Sequence, residues 1–207
     1  MGGHNIALVR RSLKQLVEAT RQQLALATGL STVTVAGALE KLCARGEARE
    51  VSLVPSQGGR PSQLYRFNAD YAHILVLFTR EEGGGDRAYL RALDLYGRTL
   101  ASEDLALSPP SLPGLEAPLD RMLARDPLIR ALGLGLPGVA TQGRITDLDY
   151  PALVGLSLVD LFRDRYGLPV LFENDVNAAA LGYCQAQPRS RGESLAYLYF
   201  PQSHPPG

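Results

Sequence analysis

Apolar residues recur along the first third of the chain at the spacing of helices that bury one side. Ile6, Val9, Leu13 and Leu16 predict a first helix from about Asn5 to Val17. Thr20 stands three residues before Gln23, the spacing of a capping box, and opens a second helix whose apolar side carries Leu24 and Ala27. Gly29 follows, free to take the left-handed conformation that ends a helix. Ser31 suits the N-cap of a third helix, in which Val35, Leu39 and Leu42 repeat at i, i+4 and i+7 until Gly46 stops it. Beyond it Val51 and Leu53 alternate with polar neighbours, Ser56 to Pro61 is a turn cluster, and Gln63 to Phe67 reads as a return strand.

After a short junction at Asn68 to Tyr71 the period changes. His73 to Phe78 is a continuous apolar strand, and Ala88 to Leu95 and Thr99 to Leu107 are two more, joined by a turn at Tyr96-Gly97-Arg98. A Pro-rich loop leads to a short helix from about Leu115 to Ala124. Ala131 to Leu136 is a buried strand ending in Pro137-Gly138-Val139, and Gly143 to Thr146 forms a short hairpin return. Leu158 to Tyr166 is an amphipathic helix closed by Gly167 and Pro169. Val170 to Glu173 is a strand, Asn174 caps an Ala-rich helix to about Gln187, and Ser194 to Phe200 is a last strand. A strand meander followed by alternating helices and strands indicates a layered α/β domain.

The order of the first region, three helices and a hairpin tipped by Gly-Gly-Arg-Pro, is that of a winged helix-turn-helix, which puts one helix into a DNA groove. Such a unit can also serve packing or protein contact alone. Charge favours DNA. Residues 1–68 hold nine Lys and Arg against four acids, a balance of +5, and the remainder holds twelve against seventeen, a balance of −5. A basic front on a neutral chain suits phosphate contacts. The free face of the third helix is expected to carry Thr32, Thr34, Ala36, Gly37 and Lys41. Only Thr32, Thr34 and Lys41 among these hydrogen-bond, and none offers the bidentate geometry of Arg on guanine or Asn on adenine. In the wing, Gly59 permits close approach and Pro61 fixes the backbone, leaving Arg60 extended for a narrow minor groove, where an ordinary turn would leave it merely exposed. The candidate DNA-binding set is Arg21, Gln22, Ser31, Thr32, Thr34, Gly37, Lys41, Gly59, Arg60 and Pro61.

The 207 residues hold two small domains, or one domain and part of a larger one, and 45% hydrophobic with 20% charged residues describes a globular protein. No apolar run approaches the ~20 residues of a membrane span, and no signal-peptide core follows the N-terminus, so a cytoplasmic protein without membrane contact is expected. Cys43 and Cys184 read as buried thiols rather than a disulfide. His4, His73 and His204 are scattered, His73 leading a strand as a structural residue, and no metal site is expected. Gly83-Gly84-Gly85 and the stretch Ser108 to Gly114 read as loops.

Three segments together are more specific: the winged pattern with its GGRP tip, LGLGLPGVATQGRI at 132–145, and GLPVLFENDVNAAALG at 167–182. In that order they resemble the ROK family of repressors, open reading frames and sugar kinases. The resemblance implies an actin-like (ribonuclease H-like) two-lobed ATPase fold, with an N-terminal winged helix-turn-helix in the repressor branch. Asn174 and Asp175 match the Asn-Asp pair with which family kinases hold sugar hydroxyls, the Asp acting as general base on the attacking hydroxyl. The competing reading of both residues is simple helix capping. Pro137 and Gly138 match a family Pro-Gly corner beside the cleft.

The departures matter equally. Where the family kinases carry an Asp-x-Gly-Gly-Thr phosphate loop, this chain reads FTREEGGGDRAYL, and Glu81, Glu82 and Asp86 repel phosphate. The second phosphate loop has YFPQSHPPG in its place, and the family's Glu and Gly-His sugar contacts and Cys-rich zinc loop do not follow, so the chain reads as a truncated or degenerate member. Phosphoryl transfer needs positioned phosphate and metal ligands.

The expectation is therefore an α/β protein, α+β overall, with a winged helix-turn-helix at 1–68 and a partial ROK actin-like domain at 72–207. It is expected to be a DNA-binding regulator, a repressor, without catalytic residues, kinase activity, cofactor or metal. Its expected partners are a double-stranded DNA operator, a second copy in a homodimer, and a sugar or sugar-phosphate effector at Asn174, Asp175 and Gly138. The rival readings are a ROK sugar kinase and a degenerate fragment serving only dimerisation.

Overall fold

The structure, a computed structural model, describes the chain except residues 1, 57–58, 109, 142–143, 148–149 and 187–207, and except the side chains of 54–56, 59–60, 139–141, 144–147 and 185–186. The sequence-predicted strand Ser194 to Phe200, Gln187 and His204 lie outside the described residues. The chain divides into two compact units, Met1–Tyr71 and Ala72–Gly207.

The first unit runs α1 (Gly2–Leu16), β1 (Glu18–Thr20), α2 (Arg21–Thr28), α3 (Thr32–Ala44), β2 (Ala48–Ser56) and β3 (Gly59–Phe67). Ile6, Val9 and Leu13 of α1, Leu24 of α2 and Val35, Ala38, Leu39 and Leu42 of α3 are its buried apolar residues, and α3 packs on both other helices. Ala27, expected on the apolar side of α2, is exposed, because a helix of eight residues buries a single position here. The short strand β1 has no counterpart in the sequence reading. It pairs antiparallel with β3 through Glu18–Arg66, Ala19–Tyr65 and Thr20–Leu64, giving a three-stranded sheet in the order β1-β3-β2.

The hairpin strands are longer than expected. β2 runs to Ser56 and β3 starts at Gly59, so Gly59, Arg60 and Pro61 belong to a strand rather than a turn. Pro61 is tolerated because β1 pairs only with residues 64–66 and the β2–β3 register breaks between Val54 and Ser56, so no ladder bond is required of it. Val51 and Leu53 are both exposed, as a hairpin projecting beyond the helices requires.

The second unit is a mixed α/β layer. β4 (His73–Glu82), β5 (Gly85–Leu93) and β6 (Thr99–Leu107) form an antiparallel meander, followed by α4 (Leu112–Arg125), β7 (Ile129–Leu136), the small hairpin β8 (Val139–Thr141) and β9 (Arg144–Asp147), α5 (Leu158–Tyr166), β10 (Val170–Asn174) and α6 (Asp175–Ala186). The sheet order is β10-β7-β4-β5-β6, with β7 parallel to both β4 and β10. Register aligns Leu132, Leu75 and Ala92 in one row and Leu134, Leu77 and Leu90 in the next. These rows form the core with Leu115, Leu119 and Met122 of α4 and Leu158 and Phe162 of α5. Arg165 joins the two helices, pairing with Asp120 at 2.8 Å and Glu116 at 3.8 Å. His73 is buried, with Nδ1 2.6 Å from Asp126 Oδ2, a structural role as expected.

Val17 links α1 to β1 at φ 65°, the one described non-glycine residue with positive φ. A β-branched side chain there meets its own backbone, which costs about 1–2 kcal/mol. Its carbonyl accepts a bond from the Phe67 amide at 3.1 Å, so the fold imposes the conformation. The side chain is 49% exposed and contributes little packing. Val17→Gly should stabilise the N-terminal unit by about 0.5–1 kcal/mol after the entropy of glycine is counted. A urea titration reads this as a higher midpoint at unchanged slope, and a lower midpoint would refute the strain.

Candidate nucleic-acid interface and the strand-end site

The connection between α2 and α3 is built by side-chain caps. Thr20 Oγ1 accepts from the Gln23 amide at 3.3 Å while Gln23 Oε1 accepts from the Thr20 amide at 2.8 Å, closing the box at the start of α2. Gly29 ends α2 at φ 70° with its amide on the Ala25 carbonyl. Ser31 Oγ then accepts from the Thr34 amide at 3.1 Å and lies 2.9 Å from Thr34 Oγ1. The chain therefore enters α3 at a fixed angle.

Those contacts also decide what α3 offers to a ligand. Thr32 and Lys41 are exposed as expected, and Gly37 is partly so. Thr34 is half-buried, and its hydroxyl and that of Ser31 already engage each other. The middle of the open face belongs to two residues the sequence reading missed, Val33, 80% exposed, and Glu40. The signal was present: once Val35, Leu39 and Leu42 define the buried side, a 100° step per residue puts Val33 and Glu40 opposite. Residue type gives no sign that a valine is exposed, so helical phase alone identifies Val33.

Of the remaining candidates, Gln22 is exposed on α2. Arg21 donates to the Tyr65 hydroxyl from Nη2 at 2.6 Å and Nε at 3.0 Å, its guanidinium carbon 5.6 Å from the ring centroid. Tyr65 is buried, which pushes its phenol up from the usual value. Gly59 and Arg60 lie at the start of β3, with the Arg60 side chain outside the description, and Pro61 is exposed. Arg10 forms a two-point ion pair with the buried Glu47, which Arg45 also approaches at 3.6 Å, and Arg66 pairs with Glu18. Arg11, Lys14, Lys41 and Arg49 are exposed.

The second unit brings Gly138 and Asn174 together and sets Asp175 beside them. Asn174 ends β10, and its Oδ1 accepts from the amides of Val176 at 3.0 Å and Asn177 at 3.2 Å. Its Nδ2 donates to the Gly138 carbonyl at 2.9 Å, with Gly138 at φ 137° in the turn after β7. Both lone pairs of the side-chain carbonyl are engaged, so one N–H remains for a ligand. Asp175 opens α6, where the helix dipole favours a carboxylate. With Glu173 it lines a cavity of about 350 Å³ whose walls include Val76, Phe78 and Leu171. Gly133 and Gly135 also line it, and a Cβ on Gly135 would come within 3.2 Å of Phe78 Cβ.

The turn between β4 and β5 is a tight hairpin, with Gly83 at φ 64° and Gly84 at φ 80°. Two successive positive φ values suit a two-residue turn in a twisted ribbon. Glu82 accepts a bond from the Tyr89 hydroxyl and pairs with Arg80 at 3.3 Å and Arg87 at 3.7 Å, and the Tyr89 bond leads in holding its carboxyl below the usual range. Among the described residues no group of His, Cys, Asp and Glu could hold a metal, and no helix is long and apolar enough to cross a membrane. Cys43 and Cys184 are free thiols, half-buried rather than buried.

Superposition on one solved structure supports this architecture. A ROK family transcriptional regulator, described as a homologue of the E. coli MLC protein, superposes with a TM-score of 0.65 over 89% of this chain and 49% of its own, at 18% identity. The chain thus spans about half the length of that structure. A ROK family glucokinase from Streptomyces griseus in complex with glucose and AMPPNP matches at 27% identity and a TM-score of 0.43, over 54% of this chain and 36% of its own. A ROK family protein from Streptococcus pneumoniae TIGR4 in complex with sucrose matches at 27% identity and a TM-score of 0.47, over 56% and 39%. Among curated proteins no sequence matches. The mixed sheet is consistent with a ROK, actin-like fold, and residues 82–200, more than half of the chain, match the ROK family model: the chain belongs to the ROK family.

Proposed function

We propose that this chain is a DNA-binding transcriptional regulator of the ROK family, a repressor without phosphoryl-transfer activity. One observation carries the reading. In a unit with an excess of basic residues, α3 is packed on one side by Val35, Ala38, Leu39 and Leu42 and open on the other, with Arg21, Gln22 and Lys41 exposed around it. The three helices and the projecting β2–β3 hairpin are then a winged helix-turn-helix, α3 the recognition helix and Arg60 the wing residue. A homodimer would present two such helices to an operator of two half-sites, and the α/β unit would mediate pairing and the response to a sugar or sugar phosphate.

The family includes kinases, so the absence of kinase activity rests on particular residues. Thr79-Arg80-Glu81 stands where the resemblance implies the phosphate-loop Asp, and Glu82 and Asp86 flank the turn that follows, at the end of β4 and the start of β5. Glu82 is paired with Arg80 and Arg87, but the three carboxylates outnumber these two arginines, and the excess disfavours a nucleotide phosphate. Asp175 is positioned at a helix start to accept a sugar hydroxyl, which supports effector binding without catalysis.

Three outcomes follow. Affinity for a mixed-sequence 30-bp DNA duplex should fall about 100-fold between 50 and 200 mM salt, because several Lys and Arg displace counterions. Fluorescence anisotropy reads this, and a salt-independent affinity would remove the basic unit as the docking surface. Arg60→Ala should weaken duplex binding by about 1–3 kcal/mol, most on A·T-rich flanks. Equal loss on every flank would make Arg60 a phosphate contact only. The protein should not consume ATP with glucose, N-acetylglucosamine or N-acetylmannosamine, and Asp175→Asn should leave that result unchanged. Phosphorylation that disappears in Asp175→Asn would establish a kinase instead.

A further inference from the structure

We infer that Val33 is the specificity-determining residue of α3, meeting the C5-methyl group of a thymine in the major groove, and that Gly37 admits the helix backbone close enough for the contact. The inference rests on the reading of α3 as the helix that enters the groove.

A lone exposed valine on a protein surface needs no explanation. Its setting here does. Val33 lies in the first turn of α3, directly opposite the buried row Val35, Ala38, Leu39 and Leu42, and the first turns of a recognition helix are those that reach base edges. Of the hydroxyls beside it, those of Ser31 and Thr34 engage each other, with Ser31 capping the helix, and that of Thr32 lies a 100° step round the helix from Val33. Direct reading at this point therefore falls to an apolar group, and the apolar group on the major-groove edge of DNA is the thymine methyl.

Gly37 is the second, independent observation. It stands one turn after Val33 on the same face, in the interior of a thirteen-residue helix, where glycine is the least favourable residue other than proline. No internal packing requires it: a Cβ built at Gly37 meets nothing within 4 Å. Nor does its backbone, which is helical. A glycine that its own fold does not need marks a place where something outside approaches the backbone. The balance of +5 over residues 1–68, which outweighs the single carboxylate of Glu40 exposed on this face, selects a polyanion as that partner over a second copy of the same basic unit.

The test starts from a pool of duplexes with a randomised core, selected on the full chain. In the enriched duplex each dT is replaced in turn by dU, which removes only the methyl group. Wild-type protein should lose about fourfold in affinity at one position per half-site, the effect of one buried methyl, and Val33→Ala should show no loss at that position. Gly37→Ala should raise the melting temperature by roughly 3–6 °C and yet weaken the enriched duplex by about tenfold or more through steric crowding. The inference is overturned if dU is tolerated at every position, if Val33→Ala keeps the same dU loss, or if Gly37→Ala binds as wild type. It is equally overturned if Val33→Ser changes the sedimentation mass without affecting dU discrimination, since the face would then be a contact between copies. Enrichment of no sequence at all would remove the DNA-binding reading itself, whereas enrichment with indifference to dU would remove only the role of Val33.

Discussion

The burial of one side of α3 is the constraint on which the N-terminal unit depends. Four residues of a thirteen-residue helix, Val35, Ala38, Leu39 and Leu42, are almost fully removed from solvent. At roughly 25 cal/mol per Å² this apolar burial far exceeds any single polar contact in the unit. Once that side is fixed against α1 and α2, the opposite side has no freedom of choice, and Val33, Gly37 and Glu40 face outward by geometry alone. The caps at Thr20 and Ser31 and the left-handed Gly29 set where the helices start and stop. The Glu47 carboxylate, buried after α3, then ties that end back to Arg10 of α1.

In the α/β unit the corresponding constraint is the parallel placement of β7 between β4 and β10. It carries the carboxyl ends of β7 and β10 to the same edge, which is why a turn at Gly138 and a helix start at Asn174, far apart in sequence, come within a hydrogen bond. The two sheet faces divide the labour by register. One presents rows of leucine to α4 and α5, and the other presents Gly133 and Gly135 to the cavity beside α6.

Local chemistry was legible in the sequence wherever a side chain acts on its own neighbourhood. The Thr20–Gln23 box, the Ser31 cap, the Gly29 and Gly167 stops and the span of α5 all follow from residues within four positions of each other. What was not legible depends on partners distant in sequence. β1 has one buried residue in three, and only its pairing with β3 makes it a strand. The hairpin extends past its turn residues because the strands support each other, so Gly59 to Pro61 became strand. The open face of α3 is the exception, since helical phase, a local property, places Val33 and Glu40 on it. Asn174 was legible as a cap, whereas its bond to Gly138 needed the sheet order.

The contact of Arg21 with Tyr65 has a thermodynamic consequence. A free arginine on a surface samples many rotamers, and fixing it in a complex loses conformational entropy worth about 0.5–1.5 kcal/mol. Here the guanidinium is already held by two bonds to a buried hydroxyl at the first residue of α2. That loss was incurred when the chain folded. Were an anion to approach, Arg21 would meet it with its rotamer chosen in advance, without a further ordering penalty.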